Sequence, residues 1–206
     1  PDGRVRWEAY CYYHPGTKVG ILSGNKQPTV IAAGNVYHTP LNVVSPADGS
    51  ILWHTWEQCG GEAYSTTDQC GFYLTGLVFV DTDGDGVKEI VFGTKFNRIF
   101  ALAAADGATR WTAVLDDEVT VMTTMVDAAT GEEFILAGTD AGQVVKLDRS
   151  GRRVRTLTLS GGLTGLQVLS DPGKKRCDVA ASTRDGGIVV FDQDFGQTRE
   201  SATNIV

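Results

Sequence analysis

Four acidic residues lie close together near the middle of the chain and could bind a metal ion. Asp81, Asp83 and Asp85 alternate through a turn. Glu89 follows eight residues after Asp81. Calcium takes about six to eight oxygen ligands, so a short loop must bring several carboxylates and at least one carbonyl to one point. The spacing predicts one calcium site, formed by the side chains of Asp81, Asp83, Asp85 and Glu89 and the carbonyl of Val87.

The residues around this loop indicate which metals suit it and which kind of loop it is. No His or Cys lies within it, and all-oxygen sites suit calcium, magnesium or manganese. Phe92 stands where an EF-hand carries its twelfth-position Glu, and the flanking residues have strand patterns. A bound cation would relieve the repulsion between the carboxylates. The alternative is an exposed acidic turn that binds nothing. We expect a structural role for the site rather than a catalytic one.

The loop belongs to an internal repeat. Gly followed four residues later by Trp occurs three times, at Gly3, Gly49 and Gly107. Turn glycines from Gly3 to Gly196 are spaced by 46, 58, 44 and 45 residues. A period of about 44 residues with short strands between turns is typical of β-propeller blades, which contain four strands each. The sequence therefore predicts an all-β fold, a β-propeller with about four four-stranded blades, as part of a larger propeller.

Short apolar segments predict the strands of each blade. They lie at 19–22, 30–32, 41–44 and 51–55 in the first blade, 77–80, 90–92, 99–102 and 110–114 in the second, 123–126, 134–137, 144–147 and 154–159 in the third, and 166–169, 179–181, 188–191 and about 197–202 in the fourth. The predicted units are an orphan outer strand at 1–10, blades at 11–57, 76–118, 119–162 and 163–206, and an insertion at 58–75. Because the orphan strand lacks its own first three strands, we expect further chain to complete the ring.

Two segments carry a resemblance to known propeller families. IFALAAADGATRW and LNVVSPADGSILW resemble the tryptophan-docking repeat of quinoprotein, or PQQ-like, propellers, in which a Gly turn leads into an outer-strand Trp that packs between blades. VDTDGDGVKEIVFGT is similar to the FG-GAP repeats of integrin-α-like propellers, which carry a calcium loop between the first two strands. Arg155 and Glu200 stand at the Trp position of the third and fourth units. The resemblance implies a propeller over nearly the whole chain, with Ca²⁺ as its cofactor.

Two cysteines lie in the one gap between blades that is about 14 residues longer than the others. A disulfide between Cys59 and Cys70 would close a 12-residue loop and contribute about 3 kcal/mol in the chain-entropy estimate. Two free thiols are the alternative. The pairing of Cys11 and Cys177 stays open, although the surroundings of Cys177 suit a partly buried small residue.

Strand connectivity predicts a binding surface opposite the calcium loop. Antiparallel strands place alternate connections at opposite edges of a sheet, so the insertion shares a face with the turns between second and third strands. Aromatic and Arg side chains are enriched in binding surfaces. The predicted partner-binding residues are Tyr37, Tyr64, Tyr73, Phe96 and Arg98. They suit a protein or a carbohydrate, although rings on this face could instead fill the propeller centre and the blade junctions.

Composition and motifs limit the function. With 18 basic and 25 acidic residues the net charge is -7, which argues against nucleic-acid binding. No apolar run reaches the roughly 18 residues of a membrane span. The three His residues lack metal-site spacing. We predict a calcium-stabilised binding or assembly module, extracellular, at the cell surface or periplasmic, in an adhesin, receptor ectodomain or filament. The alternative is a propeller enzyme such as a quinoprotein-like dehydrogenase or a polysaccharide lyase.

Overall fold

A computed structural model describes residues 4–9, 18–24, 27–34, 41–55, 74–170, 177–196 and 198–201. Sixteen β-strands form four sheets of four strands each. Within these ranges there is no helix capable of spanning a lipid bilayer. The predicted all-β fold with four four-stranded blades is confirmed.

Strands pair in chain order, so each sheet is an antiparallel meander. Sheet 1 contains β1 (Val19–Gly24), β2 (Gln27–Gly34), β3 (Leu41–Val44) and β4 (Ile51–His54). Sheet 2 contains β5 (Leu74–Val80), β6 (Glu89–Thr94), β7 (Arg98–Leu102) and β8 (Thr109–Val114). Sheet 3 contains β9 (Val119–Val126), β10 (Glu133–Thr139), β11 (Gln143–Leu147) and β12 (Arg153–Thr158). Sheet 4 contains β13 (Leu163–Ser170), β14 (Cys177–Thr183), β15 (Ile188–Asp192) and β16 (Thr198–Ser201).

Two boundaries differ from the sequence-based prediction. Strand β5 begins at Leu74, so the last residues of the predicted insertion 58–75 belong to sheet 2. Residues 4–9 form no strand, although 1–10 were expected to form an orphan outer strand. A strand needs a neighbour for its hydrogen bonds, and none of the described strands pairs with residues 4–9.

The hydrophobic core lies between neighbouring sheets. First strands of successive sheets lie side by side, with β1 against β5, β5 against β9 and β9 against β13. Sheets 2 and 3 bury Val91, Ile99 and Ile135 between them. A Cβ atom at Gly93 would lie 2.6 Å from Val119, so glycine permits this close approach. The contacts between first strands therefore follow chain order, as expected for consecutive propeller blades.

A tryptophan from the preceding part of the chain docks on each of sheets 1, 2 and 3. In each case the indole N–H donates a hydrogen bond to a backbone carbonyl of the sheet on which the tryptophan docks. The acceptor is the second residue beyond the end of the third strand of that sheet. The bonds are Trp7 to Pro46 (2.9 Å), Trp53 to Ala104 (2.9 Å) and Trp111 to Arg149 (2.8 Å). The ring also covers a turn glycine, since a Cβ atom at Gly151 would lie 2.6 Å from the Trp111 ring. This is the docking arrangement that the PQQ-like resemblance implies.

A different arrangement connects sheets 3 and 4. Arg155 stands at the Trp position of β12. Lys146, only 3% exposed, instead donates its Nζ–H to the Gln193 carbonyl at 3.1 Å. The left-handed turn position, which Gly151 occupies in sheet 3, is occupied in sheet 4 by Phe195 with φ 62°, one residue before the predicted turn glycine Gly196. The Phe195 ring packs edge-on against Phe191. A buried Lys and an extra ring therefore replace the docking Trp at this junction.

Candidate functional site

The acidic turn between β5 and β6, residues 81–88, brings three carboxylates to one point. One ligand oxygen each from Asp81, Asp83 and Glu89 lies within 4.8 Å of the others. Calcium binds oxygen at about 2.3–2.6 Å, so ligands on opposite sides of the ion are about 4.6–5.2 Å apart. The separation and the all-carboxylate chemistry of these three residues therefore fit one hard cation.

Backbone amides shape this turn around Asp81. Its Oδ1 accepts a hydrogen bond from the Gly84 N–H at 2.7 Å, and its Oδ2 accepts one from the Gly86 N–H at 3.0 Å. Both glycines have φ near +83°, in the left-handed region where glycine carries no steric cost. A carboxylate oxygen has two lone pairs, so the two oxygens of Asp81 can accept these bonds and still bind a cation.

Glu89 is the buried member of the group, at 1% exposure on the first residue of β6. Its Oε2 accepts hydrogen bonds from the amide and the hydroxyl of Thr82, both at 2.8 Å. The Arg110 Nε lies 3.7 Å from Oε1, and the Arg110 side chain is 44% exposed. Sequence reasoning missed both Thr82 and Arg110 as partners of Glu89. Arg110 reaches Glu89 from another strand of the same sheet, and no local sequence pattern signals that contact.

A fourth predicted carboxylate, that of Asp85, is not part of this group. The Asp85 carboxylate accepts the Val87 N–H at 2.6 Å, and Asp85 does not converge with the other three carboxylates. Nothing in the structure places the Val87 carbonyl at a common point with them. Elsewhere in the described ranges no second group of three metal-ligating side chains is present. Three of the five predicted ligands therefore lie together, and calcium binding stays a prediction.

The ends of the strands that lie away from the acidic turn carry other turns and connections. Together these form a surface that we call the turn face. It consists of the turns 95–97, 140–142 and 184–187 and the connections 115–118 and 159–162. Backbone hydrogen bonds join them: Leu115 N to Asn97 O at 2.8 Å, Asp140 N to Glu118 O at 2.9 Å, and Arg184 N to Gly162 O at 2.7 Å. The turn face thus extends without interruption across sheets 2, 3 and 4.

Phe96 is a large apolar side chain on the turn face, and it is 45% exposed. Its amide donates to Thr94 Oγ1 at 3.3 Å. The next residue, Asn97, has φ 55° and donates its Nδ2–H to the Leu115 carbonyl at 3.0 Å. Arg98, the other predicted partner-binding residue in the described ranges, is half-buried on the first residue of β7. The Phe96 ring is therefore presented on a fixed turn.

Charged side chains cross the turn face between sheets. Arg153 Nη1 lies 2.9 Å from Asp116 Oδ2 and holds the pKa of that carboxyl below its usual range. Arg184 of sheet 4 pairs with Asp140 of sheet 3. Burial raises the pKa of Glu118, and the nearby Asp140 adds to that effect. The acidic run at 116–118 was the available sequence signal for this cluster, which sequence reasoning missed.

Several predicted residues lie outside the described part of the chain. They are Tyr37, Tyr64 and Tyr73 of the partner-binding set, and Cys11, Cys59 and Cys70. Cys177 is a free thiol that is 2% exposed, and burial raises its pKa. Cys177 was expected to be a partly buried small residue, and the structure buries it almost completely.

A comparison with protein families identifies the repeat. The family described as outer membrane protein assembly factor BamB matches residues 38–205. The chain belongs to the BamB family. Membership of the BamB family supports the PQQ-like part of the predicted resemblance, while the integrin-α-like calcium loop stays a prediction. No curated protein sequence matches the chain.

Solved structures share this fold at low sequence identity. BamB from Moraxella catarrhalis has a TM-score of 0.58 at 18% identity, covering 87% of this chain and 47% of that one. Saccharomyces cerevisiae Sqt1 has a TM-score of 0.67 at 16% identity, covering 87% and 46%. The computationally designed Ika4 protein has a TM-score of 0.64 at 16% identity, covering 92% and 98%. The chain spans about half the length of the BamB and Sqt1 structures, and these likenesses concern the fold alone.

Proposed function

We propose that this chain forms part of an assembly module that binds a protein partner on the periplasmic side of the outer membrane. The family description, outer membrane protein assembly factor, supports both the kind of function and the compartment. The observation that carries the proposal is Phe96, an exposed ring on a fixed turn within the turn face. A protein suits this surface better than a nucleic acid, because the chain has a net charge of -7.

The geometry of the turn face suits protein recognition for two reasons. A turn whose backbone is already held by hydrogen bonds loses little conformational entropy when a partner covers its ring, so more of the contact energy remains as affinity. Asp116, which is paired with Arg153 of β12, and the Arg184–Asp140 ion pair lie on the same surface, where fixed charges set the orientation of a partner. Apolar anchors among polar groups are typical of interfaces in which a few residues carry most of the binding energy.

Site-specific photo-crosslinking in cells producing the protein tests this proposal. A photoreactive phenylalanine analogue replaces Phe96 in one variant and Val126 in the other. Val126 is a matched control, because it is 54% exposed and ends β9 at the opposite end of the sheets. We expect a discrete crosslink to one protein from position 96 only. With that protein purified, Phe96→Ala should weaken binding by about tenfold or more. Crosslinking from position 126 alone, or unchanged affinity of Phe96→Ala, would contradict the proposal.

We also propose that a calcium ion binds at Asp81, Asp83 and Glu89 and stiffens the connection between β5 and β6. The support is the convergence of three carboxylates within 4.8 Å, one of them on the buried Glu89. The Asp85 side chain and the Val87 carbonyl complete the predicted ligand set. This role is structural, and it acts at the end of sheet 2 opposite the turn face.

We also propose a disulfide between Cys59 and Cys70, because both cysteines lie in the one gap between blades that is longer than the others. Peptide mapping under non-reducing conditions should recover the two peptides linked to each other. Alkylation of either cysteine in the native protein would contradict the pairing.

A further inference from the structure

The two oxygens of the buried Glu89 carboxylate have different surroundings. Oε2 accepts hydrogen bonds from the amide and the hydroxyl of Thr82, both at 2.8 Å. Because a carboxylate oxygen has two lone pairs, these bonds use both lone pairs of Oε2. Oε1 lies 3.7 Å from the Arg110 Nε, a longer distance than the roughly 2.7–2.9 Å of a charge-assisted hydrogen bond. Oε1 is therefore the oxygen with lone pairs left for a cation, and Arg110 is the positive group that already lies beside it.

Arg110 lies at a β-bulge of β8. The register between β7 and β8 shifts between Ala101 and Leu102, and Arg110 is the extra residue on β8. A bulge interrupts the regular alternation of a strand and re-aims a side chain. The Arg110 side chain is 44% exposed, so its guanidinium can move into solvent while the ladder of β8 stays intact.

The same bulge is present in sheets 1 and 3, where it carries apolar residues. Leu52 is the extra residue of β4 and Val154 is that of β12, and both are exposed. Neither sheet has alternating carboxylates between its first two strands. Among these three sheets, the charged bulge residue therefore occurs in the one with the acidic turn. The repeat alone does not require Arg110, and its contact with Glu89 gives it a role at that turn.

The burial of Glu89 makes the charges around it important. An ionised carboxylate at 1% exposure needs a positive group nearby, since burial penalises the charged form. In the metal-free protein, Arg110 supplies that charge from 3.7 Å. A calcium ion shared by Asp81, Asp83 and Glu89 would supply two positive charges at the same oxygen and would repel the guanidinium. Arg110 and the ion therefore compensate the same carboxylate and oppose each other.

We propose that Arg110 is a resident counter-ion that competes with calcium for Glu89 Oε1 and thereby weakens the calcium affinity of the acidic turn. This inference rests on the proposed calcium site. Without calcium, Arg110 neutralises Glu89 and the turn keeps its fold. With calcium bound, the guanidinium moves toward solvent, and the free energy of displacing it reduces the net affinity. The site then loads and unloads as the calcium concentration changes, rather than holding the ion permanently.

Calorimetric calcium titrations of the unaltered protein and of an Arg110→Gln variant test this proposal. We expect Arg110→Gln to bind calcium about three to ten times more tightly, because the ion no longer has to displace a like charge. Arg110→Lys keeps a positive charge and should stay within about twofold of the unaltered protein. Arg155→Gln is the matched control. It removes the same charge from an exposed position on β12, the fourth strand of sheet 3, and should leave the calcium affinity unchanged.

Stability measurements give a second, independent readout. Urea denaturation in chelator should show that Arg110→Gln is less stable than the unaltered protein, because Glu89 loses its counter-ion. At saturating calcium the difference should shrink, because the ion then compensates Glu89. By linkage, the part of the loss that calcium restores must match the gain in calcium affinity. A purely structural residue would lower the stability equally in both conditions, and circular dichroism checks that each variant keeps its sheet content.

Two outcomes would overturn this proposal while leaving the calcium site intact. Equal calcium affinity of Arg110→Gln and the unaltered protein would show that Arg110 does not compete with the ion. Weaker binding by Arg110→Gln would show that Arg110 instead holds Glu89 in position for the ion. Absence of calcium binding by both proteins is a different result, which would refute the proposed calcium site and this inference with it.

Discussion

The turns between the first two strands of sheets 2 and 3 begin alike and use their first carboxylate differently. Asp81 and Asp127 each follow directly after the first strand of their sheet. Asp127 Oδ1 accepts the amides of Ala129 and Thr130, both at 2.9 Å, and the backbone bond from Gly131 N to Asp127 O at 2.8 Å also closes this small turn. Asp81 instead accepts amides three and five residues ahead. The turn around Asp81 is longer and has room for further carboxylates.

The glutamates that follow these turns differ as well. Glu89 begins β6 and is 1% exposed, whereas the Glu133 side chain, at the start of β10, is 14% exposed and pairs with Lys88 at 3.5 Å. Two extra residues separate Asp81 from Glu89, compared with Asp127 and Glu133. The comparison teaches that the length of the turn and the number of its carboxylates, rather than its position in the repeat, decide whether several carboxylates lie close together there.

Replacing the two glutamates should show the largest difference between the turns. Glu89→Ala leaves the Thr82 amide and hydroxyl and the Arg110 side chain without their buried partner. We expect it to lower the free energy of unfolding by about 3 kcal/mol, measured by urea denaturation in the presence of a chelator. Glu133→Ala removes a partly exposed ion pair and should cost less than about 1 kcal/mol. Equal losses for the two variants would break the comparison.

Replacing the aspartates should affect the metal-free protein differently. Asp127→Ala removes the acceptor of two turn amides and should destabilise by about 1 kcal/mol with or without calcium. Asp83→Ala removes the acceptor of one longer bond, from the Asp85 amide at 3.2 Å, but also one of several mutually repelling carboxylates, so the stability of the metal-free protein should change little. Thermal unfolding in chelator and in calcium distinguishes them. In calcium, Asp83→Ala should melt below the unaltered protein, and a similar loss in chelator would argue against a cation site.

The pH dependence of the sheet 3 turn should give the smallest effect. The backbone hydrogen bond from Thr130 holds the pKa of Asp127 below its ordinary value of 3.8. A carboxyl with a lower pKa in the folded state stabilises the fold above its unfolded pKa, and this contribution is lost as the pH falls through the folded pKa. Asp127→Asn should therefore be less stable than the unaltered protein above about pH 4, with the difference shrinking toward about pH 2. A constant difference across this range would show that the charge contributes nothing.

The sequence predicted the strands well because this fold repeats a simple local pattern. Short apolar segments alternate with turns, and the turn glycines Gly49, Gly107 and Gly151 have the positive φ values that such turns require. Long-range contacts were not predictable in the same way. Lys146 lies in an apolar strand, and nothing local shows that its amine reaches the Gln193 carbonyl of the next sheet.

The acidic turn shows the same limit on a smaller scale. The spacing of the acidic residues predicted a shared metal site for them, and the carboxylates of Asp81, Asp83 and Glu89 lie close together. Alternation alone could not show that the Asp85 carboxylate accepts the Val87 amide two residues ahead. Asp residues often bond to their own backbone in turns, and this local bond competes with convergence on a shared point.

Calorimetric titration of the metal-free protein with calcium tests the central claim most directly. The account predicts that one calcium ion binds, that Asp83→Ala abolishes the binding, and that Asp127→Ala, in the matched turn of sheet 3, leaves it intact. Binding at a calcium concentration of 100 times Kd should also add about 2.7 kcal/mol to the free energy of unfolding. A flat titration up to millimolar calcium, or loss of binding in Asp127→Ala with Asp83→Ala unaffected, would contradict the account.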